Sequence, residues 1–103
     1  MGLFDIFRPV DINEELKNMK TIPGAVLLDV REEDEYKEEN IPNSVNIPLS
    51  NLERIEDMHY TKDTPLFVYC HSGRRSGLAV MRLRELGYTH AKNIGGIIHY
   101  KKA

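Results

Sequence analysis

In the stretch LFVYCHSGRRSGLAVMRLRELGY, residues 66–88, the only cysteine of the chain, Cys70, stands between a strand-like run and a helix-like run. Arg74 and Arg75 follow it closely. If the helix starts near Arg75, then His71, Ser72, Gly73 and Arg74 form a tight loop. Its backbone N–H groups and the free N–H groups of the first helical turn face one small space, an anion cradle. Gly73 supplies the backbone freedom such a turn needs. The helix dipole, a protonated His71 and the two guanidinium groups all favour thiolate over thiol. Cys70 is therefore expected to titrate below the free-cysteine value of about 8.5 and to act as a nucleophile. The bland alternative, an inert buried thiol, leaves a glycine and two arginines directly after it without a reason.

Two chemistries use a thiolate in an anion cradle at the end of a strand: phosphoryl transfer, as in cysteine phosphatases and arsenate reductases, and sulfur transfer. Spacing separates them. The phosphatase pattern would need arginine at position 76, which is Ser76, and Arg75 comes one place too early. A shorter loop makes a smaller ring of N–H groups, better matched to one sulfane sulfur than to a tetrahedral phosphate. The loop also lacks an aspartate to act as general acid.

The elements around this loop can be read from hydrophobic pattern. Asp11 with Glu14 three residues on starts a short helix carrying Leu16 and Met19, closed by the turn TIPG. AVLLDV, 25–30, is a nearly continuous apolar run, the pattern of a strand covered on both faces. REEDEYKEEN puts Glu32, Glu33 and Asp34 at the start of a polar helix, where negative charge suits the dipole. SVNIPL, 44–49, reads as a strand closed by Pro48, NLERI as a brief helix capped by Ser50 or Asn51, and EDMHYTKDTP as a loop. PLFVYC, 65–70, is the next strand; Ala79, Val80, Leu83 and Leu86 then recur at helical spacing up to the stop at Gly87. AKNIGG, 91–96, is a last strand and IIHYKKA a terminal turn. Apolar strands alternating with helices imply a mostly parallel α/β sheet, with the ligand site at the carboxyl ends of its strands.

A chain of 103 residues, 41% of them hydrophobic, is enough for one domain with one core, spanning 1–103. With 14 basic and 16 acidic side chains the formal charge is -2, so totals imply no large basic surface for nucleic acid. One cysteine and four scattered histidines give neither an internal disulfide nor a zinc-ligand cluster, so no metal or cofactor is expected. No segment approaches the roughly 20 apolar residues of a transmembrane helix, and a cytoplasmic location is the expectation. MGLFDI begins like a myristoylation signal, but Ile6 stands where serine or threonine is required. The segment 1–8, with Leu3, Phe4, Ile6 and Phe7, is expected to pack on the domain.

Three blocks together resemble the rhodanese-like family, specifically its single-domain thiosulfate sulfurtransferases, over nearly the whole chain. LLDVREEDEY is similar to the family's Asp-x-Arg segment followed by Glu and an aromatic, through Asp29, Arg31, Glu35 and Tyr36. CHSGRRS is similar to the active loop, with Gly73 and Arg75 at its Gly and Arg places, and NIGGIIHY resembles the Gly-Gly block through Gly95 and Gly96. The chain departs from the family pattern at Glu39-Asn40-Ile41, at Asn43-Ser44 where Gly-Ala is usual, and at Tyr100 where tryptophan is usual.

The resemblance implies a rhodanese fold, a central, mostly parallel sheet of about five short strands flanked by helices on both faces. It implies Cys70 as the catalytic sulfur carrier and His71, Ser72, Gly73, Arg74 and Arg75 as the residues around the substrate. Asp29, Arg31 and Glu35 would form a structural charge network. The reaction would move a sulfane sulfur from thiosulfate or a similar donor, through a Cys70 persulfide, to cyanide or an external thiol. The alternatives are a sulfur-relay or binding module whose main target is a protein and, less favoured because of Ser76, a phosphatase or arsenate reductase.

Overall fold

The computed structural model describes residues 10–102, and the expectations for segment 1–8 fall outside the described residues. The chain runs through α1 (Ile12–Met19), β1 (Val26–Asp29), α2 (Glu33–Glu38), β2 (Val45–Asn46), a 3-10 segment (Leu49–Met58), β3 (Leu66–Cys70), α3 (Arg74–Glu85), β4 (Ala91–Gly96) and a 3-10 turn (Ile97–His99). The strands form one sheet in the order β2-β1-β3-β4, every pair parallel.

β3 explains why its sequence is apolar without alternation. Leu66, Val68 and Cys70 belong to one core, with Ala79, Val80 and Leu83 of α3 and Leu52 and Ile55 of the 3-10 segment. Phe67 and Tyr69 belong to the other, with Ile12 and Leu16 of α1 and Ile94 and Ile97. An inner strand with a core on each face has no position left for a polar side chain. Cys70 is its last residue and lies on the α3 face.

The local signals account for most ends. Asp11 caps α1, accepting the Asn13 N–H at 3.0 Å rather than trading bonds with Glu14. α3 ends in a left-handed Gly87, φ +102°, with the Tyr88 N–H returning to the Leu83 carbonyl at 2.9 Å. Asn43, standing where the family usually has glycine, adopts φ 70°, a conformation that asparagine tolerates better than most residues.

Three expectations change. The sheet has four strands among the described residues, not about five, because the sequence supplies four strand-length apolar runs and each yields one strand. The stretch read as a loop from 56 begins as helix: the 3-10 turns reach Met58, and Leu52 and Ile55, three apart and both buried, fit a helix of three residues per turn. α3 starts at Arg74, one residue earlier than expected, so Gly73 becomes its N-cap.

Candidate active site

The loop after β3 is shaped by two glycines. Gly73 sits at φ +103°, where any side chain is strained. Gly96, at the end of β4, passes under the loop so closely that a Cβ there would stand 2.2 Å from the His71 carbonyl oxygen and 2.6 Å from the Ser72 Cα. β4 reaches this position through a bulge: Val68 is opposite Asn93 but Tyr69 is opposite Gly95, so Ile94 is passed over. The Gly-Gly block is therefore part of the loop's floor.

Cys70 has no exposed surface, and its sulfur accepts the Gly73 N–H at 3.0 Å and lies 3.4 Å from the Ser76 hydroxyl. Burial pushes the Cys70 thiol up. The Ser76 hydroxyl and the backbone N–H groups of Ser76, Gly73 and Ser72 outweigh it, and the thiol ends below its ordinary value. The direction matches the expectation; the agents differ. The largest acidifying agents are four short-range donors on the loop and the first turn of α3, rather than the two arginines and His71.

The sequence-predicted residues are drawn together to different degrees. Cys70, Ser72 and Gly73 make the cradle, with the Ser72 and Gly73 N–H groups directed to the sulfur. His71 and Arg74 are exposed at its rim, and the His71 carbonyl accepts the Ile98 N–H at 3.2 Å. The guanidinium of Arg75 is held by Glu35 in a two-pronged pair, at 2.7 and 2.9 Å. It is still close enough for the Cys70 charge to help raise its pKa, after the larger effect of Glu35.

Glu35 is in turn positioned from the end of β1. Arg31, buried against Asp29 with its Nη2 2.8 Å from Oδ2, donates onward to the carbonyls of Glu39, at 2.6 Å, and Glu35, at 3.4 Å. That ties the end of α2 to the sheet. The Glu32 N–H adds a bond to Glu35 Oε1 at 3.1 Å. A continuous chain of charge and hydrogen bonds thus runs from Asp29 through Arg31, α2 and Glu35 to Arg75 at the loop.

Two residues escape the sequence reading. Ser76 entered it only as the residue that excludes a phosphatase loop, yet it is fully buried and points its hydroxyl into the cradle. Asn93, in β4, binds Ser76, Gly73 and Gly95 at once. The available signal was an asparagine inside a strand, two residues before the Gly-Gly pair.

A cleft of about 270 Å³ opens beside the loop, lined by Ser72, Gly73, Asn93, Gly95, Gly96 and His99 with Val10 and Ile12. A larger surface groove, about 370 Å³, lies between α3 and the 3-10 segment and touches none of the loop residues. Only the smaller of these two borders the thiol's own loop. Among the described residues no group of three His, Cys, Asp or Glu could hold a metal ion, and no helix is long and apolar enough to cross a membrane.

Comparison with known proteins bears on the family and the fold. The profile of the rhodanese-like domain matches residues 13–103. Thiosulfate sulfurtransferase PspE of Escherichia coli (strain K12) is 42% identical over 71 residues, which is 68% of this chain and 68% of that protein. Adenylyltransferase and sulfurtransferase uba4 of Ogataea parapolymorpha is 36% identical over 77 residues, 74% of this chain but only 20% of that protein. The structure of the human single-domain sulfurtransferase TSTD1 is similar with a TM-score of 0.75 at 27% identity, covering 87% of this chain and 94% of that one.

Proposed function

The chain belongs to the rhodanese-like family, and from that premise we propose that it is a sulfurtransferase that carries sulfane sulfur on Cys70. The observation that carries the reading is the ring of donors about one sulfur atom: the N–H groups of Ser72, Gly73 and Ser76 and the Ser76 hydroxyl. Such a ring stabilises a thiolate and, after loading, the anionic persulfide.

In the first step the Cys70 thiolate attacks the outer sulfur of thiosulfate. The Cys70 S–S bond forms as the donor's own S–S bond breaks, and sulfite leaves with the bonding electron pair. In the second step cyanide or an acceptor thiolate attacks the outer sulfur of the persulfide, and Cys70 leaves as thiolate. Both steps pass negative charge through the same ring of donors. Since Cys70 is the only cysteine in the sequence, the acceptor thiol comes from another molecule.

The test is intact mass after incubation with thiosulfate. The expected result is one added sulfur, lost on treatment with cyanide and absent in Cys70→Ser. A wild-type chain that gains no sulfur from thiosulfate would overturn the reading for this donor. A second reading, a relay module charged by a protein partner, has the support that one curated relative containing this domain is about five times longer than the match. It is favoured if the chain accepts sulfur from a persulfide-bearing protein but not from thiosulfate.

A further inference from the structure

Asn93 lies on β4, outside the cysteine loop, and its carboxamide bonds to Gly73 of that loop, to Ser76 in the first turn of α3 and to Gly95 of its own strand. Its Nδ2 donates to the Gly73 carbonyl at 3.0 Å, and its Oδ1 accepts the Gly95 N–H at 3.0 Å and the Ser76 hydroxyl at 2.7 Å. The orientation is determined chemically: a backbone N–H can only donate, so the atom facing Gly95 is the oxygen, and the atom facing a carbonyl is the nitrogen.

These three bonds reach the positions that decide the cradle's shape. Gly73 supplies the N–H that lies 3.0 Å from the sulfur, and Ser76 the hydroxyl at 3.4 Å. Gly95 belongs to the bulge that carries β4 under the loop. From this geometry we infer that Asn93 is a positioning residue for the sulfur site, holding the Ser76 hydroxyl and the Gly73 turn at the distances from which they stabilise the Cys70 anion.

The Ser76 hydroxyl has one hydrogen and two acceptors in reach. While Cys70 is a thiol the hydrogen rests on the shorter bond to Asn93, and the thiol hydrogen faces the Ser76 oxygen. When the thiol loses its proton to solvent the hydroxyl turns to the sulfur, and Asn93 keeps the Gly95 N–H. Without Asn93 the competition would not end, because a serine in the first turn of a helix can bond back to the carbonyls three and four residues earlier, here Gly73 and Ser72. The hydroxyl would keep an acceptor and lose its place beside the sulfur.

The inference deepens the sulfur-transfer reading, and its kinetic arm rests on that reading. The charged and titratable groups about the sulfur are Arg75 of α3, Glu35 and Glu32 behind it, and His71, Arg74 and His99 at the rim, and no substitution below replaces them. The experiment measures the pH dependence of iodoacetamide alkylation and the rate of sulfur loading from thiosulfate for wild type, Asn93→Ala, Ser76→Ala and the double variant. Asn93→Ala should raise the alkylation midpoint by about half a pH unit or more and slow loading about tenfold. In the Ser76→Ala background the same change should do distinctly less, because part of its route has gone.

A lowered melting temperature with an unmoved midpoint, or effects that multiply fully in the double variant, would overturn the inference. Should Asn93→Ala fail to fold, the isosteric Asn93→Asp keeps the acceptor for Ser76 and Gly95 but opposes the Gly73 carbonyl. Its midpoint should rise by about one pH unit or more, and an unchanged value overturns the inference as well. If wild type takes up no sulfur from thiosulfate, the function reading falls by itself, while the alkylation midpoint still decides the role of Asn93.

Discussion

The guanidinium of Arg75 is closed on the carboxylate of Glu35, Nη1 to Oε1 at 2.7 Å and Nη2 to Oε2 at 2.9 Å, across the gap between α3 and α2. The two residues are 40 apart in the sequence. The pair fixes the first turn of α3, and with it the donors of Ser76, to the segment that Arg31 ties to the sheet. Arg75 therefore acts as a strut for the loop, in addition to contributing positive charge near the sulfur.

The pair should be visible in the pH dependence of stability. Arg75 holds the Glu35 carboxyl down from 4.5 to about 2, against burial, which pushes it up. A carboxyl whose folded pKa is depressed stabilises the fold above its unfolded value and loses that contribution as pH falls through the folded one. The loss should thus fall between pH 4.5 and about 2. About a third of each side chain is exposed, so solvent screening reduces the contribution to about 1 kcal/mol. Urea unfolding at stepped pH should show a shallower decline in Glu35→Gln than in wild type; identical slopes would remove the pair from the account.

Gly96→Ala should damage the site through packing alone. The new Cβ would meet backbone atoms of His71 and Ser72 at 2.2 and 2.6 Å, and neither can swing aside as a side-chain tip could. We expect a loss of about 1–3 kcal/mol in stability and at least tenfold slower sulfur loading, roughly the effect of one lost charge-assisted hydrogen bond. Normal loading at normal stability would mean that the loop has more room than its observed path allows.

How far the sequence discloses this site depends on distance along the chain. The cradle is local, since Cys70, Ser72, Gly73 and Ser76 lie within seven residues, and loop spacing points to all of it except the Ser76 hydroxyl. The existence of the four strands follows from apolar runs of strand length. The ion pair between Arg75 and Glu35 and the clamp from Asn93 join residues 40 and 17–20 positions apart, and no periodicity encodes such a pairing. Leu52 and Ile55 were legible only as a short helix, because a spacing of three fits the edge of an α-helical stripe as well as a 3-10 face.

The charge pair at the end of β1 gives a prediction about stability with a consequence for function. Asp29 is fully buried, and Arg31 reaches both of its carboxylate oxygens. Arg31→Met would fill the space but leave a buried carboxylate without its partner, which costs about 3–5 kcal/mol. The same change removes the bonds to the Glu35 and Glu39 carbonyls, so α2 loosens and Glu35 no longer holds Arg75. Denaturant midpoints should fall sharply, and a double change with Asp29→Asn should recover part of the loss. A double variant no more stable than Arg31→Met would show that the buried charge is not the cause.

Choice of chemistry is the remaining prediction, and it rests on the cradle's size. The donors close about a single atom, with the Gly73 N–H 3.0 Å from the sulfur and the Ser76 side chain occupying the place where a phosphatase loop carries its arginine. Thiosulfate would present one outer sulfur to such a ring and leave its sulfonate at the rim, where Arg74 and His71 are exposed. An aryl phosphate would need three oxygens inside it. Thiosulfate should therefore be consumed, and p-nitrophenyl phosphate left intact, in parallel assays of the same preparation. Arg75→Ala should slow sulfur transfer roughly ten- to a hundredfold, since it removes both the nearby charge and the strut to Glu35. Arg75→Lys should restore only part of the rate, because an ammonium keeps the charge and cannot span both carboxylate oxygens. Cys70-dependent phosphate ester cleavage without thiosulfate consumption would require the sulfurtransferase reading to be given up, and full activity in Arg75→Ala would confine Arg75 to the surface.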